Sequence, residues 1–108
     1  GIILKAFADI LSKNIRETDY VGRWGGEEFL FIFPQTKDSD AHIVTENLRK
    51  IIEKHNFYNN IKITASFGIN ECKDENPTKC VSKADKALYE AKNSNRNCVK
   101  IFNTQEKV

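Results

Sequence analysis

The chain has no excess of charge of either sign: 17 Lys and Arg stand against 15 Asp and Glu, a net +2 over 108 residues. So balanced a composition supplies no polyanion-binding field, which argues against nucleic acid as a partner. Long hydrophobic runs are missing as well. No window approaches the apolar stretch of about 18 residues needed to cross a bilayer, and the first residues lack the basic-then-apolar secretory pattern. The expected compartment is cytoplasmic, with no membrane span. Cysteine is scarce and odd in number: Cys72, Cys80 and Cys98 form no Cys-x-x-Cys pair, so neither a disulfide framework nor a zinc knuckle is expected and all three read as reduced thiols. His42 and His55 lie far apart and receive no role. Repeats, low-complexity tracts and internal linkers are absent, and the length allows one core rather than two domains.

What is present is periodicity. Ile3, Leu4, Phe7, Ile10, Leu11 and Ile15 recur at helical spacing with no capping residue ahead of them, which predicts an amphipathic helix and suggests a chain cut from something longer. Tyr20 to Trp24 and Glu28 to Phe33 read as two strands of a hairpin turning at Gly25-Gly26. The second strand is apolar from Phe29 to Phe33, as expected of a central strand covered on both faces. A second helix enters through Asp38-Ser39-Asp40 and buries Ala41, Val44, Leu48, Ile51 and Ile52. Ile61 to Asn70 then alternates with period two, predicting a strand. Lys73 to Lys79 reads as a polar loop, and Val81, Ala84, Leu88 and Ala91 as the stripe of a third helix ending at Asn93-Ser94-Asn95. A short strand, Val99 to Phe102, closes the order α-β-β-α-β-α-β. The expected fold is α+β, an antiparallel-rich central sheet flanked by helices, spanning 1–102 with a polar tail at 103–108.

Three clusters could carry chemistry. In Arg23-Trp24-Gly25-Gly26-Glu27-Glu28-Phe29, glycines either serve a turn or let a flat base or phosphate approach the backbone, and a neighbouring carboxylate offers Mg²⁺ a hard oxygen. Glu27 and Glu28 would point to opposite faces in regular strand conformation, so a metal here needs another acid, with Asp9, Asp19 and Asp85 as candidates. Lys92 and Arg96, four residues apart, either complement a helix dipole or grip a polyphosphate. Arg16 and Asp19 form either a local ion pair or a ligand site. Residue types and spacing leave each pair of readings open.

Taken together, these motifs resemble the GGDEF family of diguanylate cyclases. The resemblance rests on Gly25-Gly26-Glu27-Glu28-Phe29, Arg16-x-x-Asp19, Arg23, Ile63 to Gly68, and the run Ala84 to Lys92 followed by Arg96-Asn97, all in order between Leu4 and Phe102. It implies the nucleotide-cyclase palm fold and condensation of two GTP into cyclic di-GMP with release of pyrophosphate, at a site between the subunits of a head-to-head homodimer. It implies that Glu27 holds Mg²⁺ (or Mn²⁺) and is catalytic, that Gly25 and Gly26 lie against GTP, and that Lys92 and Arg96 grip its phosphates. Glu28 belongs to the same substrate-binding signature. Arg16 and Asp19 fall on the site where the product cyclic di-GMP inhibits.

The resemblance also marks a departure. Family domains begin with a strand carrying a metal-binding Asp, followed by an Asn and an Asp that recognise guanine, and none of these precedes the first helix here. The expectation is therefore a palm fold minus its first strand, weakly active or inactive alone. The alternative is a degenerate domain acting as a cyclic di-GMP-binding or protein-interaction module.

Overall fold

A computed structural model describes residues 1–103. The elements follow the expected order: α1 (Ile2–Lys13), β1 (Tyr20–Gly25), β2 (Glu28–Ile32), α2 (Asp38–Lys54), a 3₁₀ turn (Tyr58–Asn60), β3 (Phe67–Ile69), α3 (Pro77–Asn93) and β4 (Val99–Ile101). The fold is α+β, as the sequence predicts. The expected tail at 103–108 falls, after Asn103, outside the described residues.

Local chemistry accounts for the helix boundaries. α2 carries Asp38 and Asp40 in its first turn, where the helix dipole favours acids. Its first N–H has no local cap; the Asp38 N–H donates to Glu71 Oε1 at 3.0 Å, from the loop after β3. α3 begins earlier than predicted, at Pro77. The ring is suited to the first helical position, and Asn76 caps the helix by accepting from the Lys79 N–H at 2.8 Å. One helix stripe differs from expectation: Cys80, Ala87 and Ala91 are the buried positions of α3, while Val81, Ala84 and Leu88 are only half-buried because they line a cavity.

The core is Leu11, Leu48, Ile52, Phe57 and Phe67. Phe7 ties α1 to β2 through Phe29, ring centroids 5.5 Å apart, and Phe31 meets Phe67 at 6.2 Å. Within the described residues the strands form two ladders instead of one sheet: β1 antiparallel to β2, and β3 parallel to β4. The parallel pair is joined through α3, the usual crossover for such strands.

Between the ladders lies a slot of about 1250 Å³, floored by helix residues and bounded by β2 and the segment leading into β3. This slot explains two departures from the sequence reading. β2 is not central: its one ladder partner is β1, and Ile32 is exposed. The alternation from Ile61 yields a paired strand only at Phe67–Ile69: Ile61 makes one isolated bridge to Phe57, and residues 63–66 line the slot outside any strand.

The thiol expectation is also corrected. Cys72 and Cys80 are joined in a disulfide with Cα atoms 5.6 Å apart, and Cys98 alone is free. The loop after β3 doubles back onto the first turns of α3, a proximity that spacing in sequence does not report. No helix among the described residues is long and apolar enough to cross a membrane.

Candidate functional site

The hairpin tip is built by a bulge. Arg23 pairs with Phe29 and Gly25 with Glu28, so Trp24 is the extra residue on β1 and the turn is Gly26-Glu27, one position later than the sequence suggests. Gly26 has φ +55°, and positive φ at the first turn position but not the second is the sign pattern of a type II′ hairpin turn. The Arg23 Nε–H donates to the Gly26 carbonyl at 2.7 Å and holds the tip in place.

The fold requires glycine at Gly26 but makes no such demand at Gly25. There the backbone is not left-handed, and an added Cβ would meet nothing within 4 Å. What the bare backbone leaves is open surface beside Glu27.

Glu27 sits in the turn rather than in a strand, so the strand argument placing it opposite Glu28 does not apply. Both glutamates line the slot, as do Trp24, Asp85, Lys92 and Arg96. Glu28 is tied to α3 through Lys92, Nζ to Oε2 3.3 Å. Glu27 is exposed and makes no ion pair among the described residues. Arg96 likewise has no ion-pair partner among the described residues. The structure therefore brings five expected substrate-side residues, Gly25, Gly26, Glu28, Lys92 and Arg96, to the region of Glu27.

The acids proposed as further metal ligands separate. Asp9 is on α1, beside a second, shallower hollow lined by Val21 and Arg23. Asp19 is committed to Arg16. Of these acids only Asp85 shares the slot with Glu27; the group of three metal-ligating side chains found among the described residues, Cys72, Glu75 and Cys80, also lines the slot but does not include Glu27, and its two cysteines are joined to each other. Glu27 is thus a single uncommitted carboxylate, which falls short of a site able to hold a divalent ion by itself.

Arg16 and Asp19 form a second locus at the entry to β1. The Asp19 carboxylate is 1% exposed and accepts from the Arg16 backbone N–H at 2.9 Å and from Nη2 at 2.8 Å. Arg16 Nη2 also reaches Thr36 Oγ1 at 2.7 Å, tying this turn to the loop after β2. Hydrogen bonds from Arg16 hold the Asp19 carboxyl below its ordinary pKa against the opposing effect of burial. The Arg16 side chain remains 56% exposed, so one face of the guanidinium is open to a ligand.

Sequence reasoning gave no role to Asn97 or Arg49. Arg49 is held by Glu46, Nε and Nη2 each at 2.7 Å, and donates from Nη1 to Asn97 Oδ1 at 3.0 Å. The sequence hints at Asn97 in two ways: it follows Arg96 in the motif that carries the resemblance, and Asn tolerates left-handed backbone better than most residues.

Comparison with known proteins agrees with this geometry. Residues 2–98 match the family described as diguanylate cyclase, GGDEF domain. Diguanylate cyclase A of Treponema denticola is 35% identical over 105 residues, covering 93% of this chain but only 28% of that protein. The active GGEEF domain of a diguanylate cyclase from Vibrio cholerae superposes with TM-score 0.86 at 28% identity, over 94% of this chain and 67% of that one. The GGDEF domain of DgcB from Caulobacter crescentus, solved in complex with c-di-GMP, gives TM-score 0.85 at 28% identity over 92% of this chain and 62% of that one. This chain spans little more than a quarter of the Treponema protein's length. With its hairpin, helix order and slot-facing cations in the arrangement its motifs imply, the chain belongs to the GGDEF domain family of diguanylate cyclases.

Proposed function

We propose that the protein containing this chain condenses two GTP molecules into cyclic di-GMP, with each copy of a head-to-head homodimer presenting one GTP. One observation carries the reading: a hairpin tip with an open glycine backbone and an uncommitted carboxylate lines the same slot as Lys92 and Arg96. In each of two equivalent steps the 3′-oxygen of one GTP bonds to the α-phosphorus of the other, the bond to pyrophosphate breaks, and the hydroxyl proton is lost. Two such steps close the ring. Catalysis of this kind is mostly positioning and charge neutralisation.

Gly25 and Gly26 offer the nucleotide a surface without side chains. Lys92 and Arg96 neutralise the triphosphate, Arg96 as a planar fork and Lys92 as a point charge drawn from its pair with Glu28. The family reading assigns Mg²⁺ or Mn²⁺ to Glu27, where it would neutralise charge on the α-phosphate. The described residues do not complete a site for that ion, so no step is assigned through it, and the 108-residue chain alone is expected to turn over GTP weakly or not at all.

Arg16 and Asp19 are read as the inhibitory product site. The support is the exposed face of a guanidinium that Asp19 and Thr36 fix in place, able to meet a phosphate or a guanine edge.

The test supplies GTP and Mg²⁺ to the longest natural form of the protein and separates products by chromatography. Cyclic di-GMP is expected, with Glu27→Gln lowering its rate by about 10²-fold or more. A folded long form that makes none overturns the cyclase reading. Retained binding of cyclic di-GMP, lost on Arg16→Ala, would then identify a degenerate binding module.

A further inference from the structure

The loop that carries Arg96 has an unusual backbone. Asn95, Arg96 and Asn97 take φ values of 69°, 56° and 49°, three successive non-glycine residues in the left-handed region. Such a run is disfavoured for residues with a Cβ, and it persists only where surrounding structure over-determines it. The start of the loop is closed by α3, whose Ala91 carbonyl accepts from the Ser94 and Arg96 N–H groups at 3.1 and 3.0 Å.

The far end is held at Asn97 from three directions, and at Cys98 beyond it, whose carbonyl accepts from the Phe67 N–H at 2.9 Å. The Asn97 backbone N–H donates to Ser66 Oγ at 3.0 Å, on the segment entering β3. Its Oδ1 accepts from Arg49 Nη1 at 3.0 Å, and its Nδ2 donates to Glu53 Oε2 at 2.8 Å, both on α2. Arg49 is itself immobilised, its side chain 14% exposed and forked onto Glu46. The residue next to Arg96 is therefore clamped to two elements, while Arg96 lines the slot with no ion-pair partner among the described residues.

We propose that Asn97, backed by Arg49 and Glu53, is a positioning residue that aims Arg96 at a nucleotide phosphate. The inference rests on the reading of Arg96 as a phosphate grip. A flexible Arg would have to be ordered when substrate binds, whereas a loop fixed in advance removes that cost and keeps the fork aligned. Asn suits the position for two reasons: it accepts left-handed backbone, and it offers one acceptor to Arg49 and one donor to Glu53.

The experiment is a double-mutant cycle on the long form of the protein, following the KM for GTP, kcat and thermal unfolding. Arg96→Ala is expected to raise KM by about tenfold and Asn97→Ala by a similar factor, each with a smaller change in kcat. Because Asn97 acts through Arg96, the double variant should be no more than about twofold worse than Arg96→Ala alone; independent sites would multiply. Glu53→Ala removes the acceptor for Nδ2 and a longer contact to Arg49 Nη1 at 3.4 Å, from an exposed position on α2, and leaves Arg49 forked onto Glu46. It serves where Asn97→Ala fails to fold, with an expected two- to threefold rise in KM that also vanishes in the Arg96→Ala background. Multiplying effects, or an Asn97→Ala protein with lowered Tm and unchanged KM, would overturn the proposal and leave Asn97 a loop-stabilising residue. An Arg96→Ala protein with unchanged KM would remove the phosphate-grip reading, and the positioning role with it.

Discussion

At the scale of single residues, Asp19 shows how one side chain serves both structure and site. Its carboxylate is almost completely buried, yet accepts from the backbone and guanidinium of Arg16. Burial of a charge is tolerable only with such partners, and removing one partner strands the other. Asp19→Asn keeps the shape and removes the charge, and is expected to cost about 1.5–3 kcal/mol in urea unfolding at pH 7, in the range of hydrogen bonds to charged groups. Its neighbour Glu17 is exposed, so Glu17→Gln should stay within about 0.5 kcal/mol. Equal effects of the two substitutions would show that the pair adds nothing beyond an ordinary surface contact. The same argument bears on the proposed product site, since a ligand there would meet a guanidinium already aimed by its buried acid.

Between elements, the tightest junction is β3 against α3. A Cβ on Gly68 would collide with the Ala84 carbonyl and the Leu88 backbone, atoms that cannot swing aside. Gly68→Ala is expected to push the helix off the strand at a cost of about 1–3 kcal/mol, whereas Gly22→Ala, which meets nothing within 4 Å, should change stability by under about 0.5 kcal/mol; thermal unfolding of the pair decides it, and matching shifts would refute a close-packed junction. Legibility from sequence varies in the same element-dependent way. α2 and the end of α3 can be read because apolar stripes and helix-end residues are local signals; the start of α2 and the end of α3 follow from Asp38-Ser39-Asp40 and Asn93-Ser94-Asn95, whereas the start of α3 at Pro77 and part of its buried face do not. Ile61 to Ile69 misleads because period two reports which face a residue takes and says nothing about a partner strand, and only Phe67–Ile69 has one. The hairpin turn moves by one residue because the bulge at Trp24 is a register event between two strands. Glycines, glutamates and slot-facing cations can be identified as a motif. Asn97, Glu71 and the Cys72–Cys80 bond could not be foreseen, since their partners meet only after the chain has folded.

Across the whole molecule, three charged knots pin the loops around an open middle. Asp19 with Arg16 joins the turn before β1 to the loop after β2. Glu46 with Arg49 joins α2 to the Arg96 loop. Glu75 with Lys83 and Asn70 joins the loop after β3 to α3, Lys83 Nζ to Oε2 at 2.6 Å. Because the slot separates β2 from β3, these perimeter ties matter more than they would around a continuous sheet. Each carboxyl has its pKa lowered, chiefly by the hydrogen bond from its cationic partner, with Asn70 adding to the effect at Glu75. A group whose folded pKa lies below its unfolded value binds fewer protons when folded, so it stabilises the fold above the unfolded pKa and loses that contribution as pH falls through the folded one. Unfolded Asp and Glu titrate near 4. Stability in urea should therefore be flat from about pH 7 to 5 and decline steadily below about pH 4, with the three knots loosening over one range. Asp19 is the most buried of the three carboxylates and the least screened by salt, so Asp19→Asn should flatten the acid limb most, even in 0.5 M salt. Urea midpoints at pH 7, 5, 4 and 3 for the parent chain and for Asp19→Asn measure this, and an acid limb of equal slope in both would mean that the buried pair does not govern acid stability.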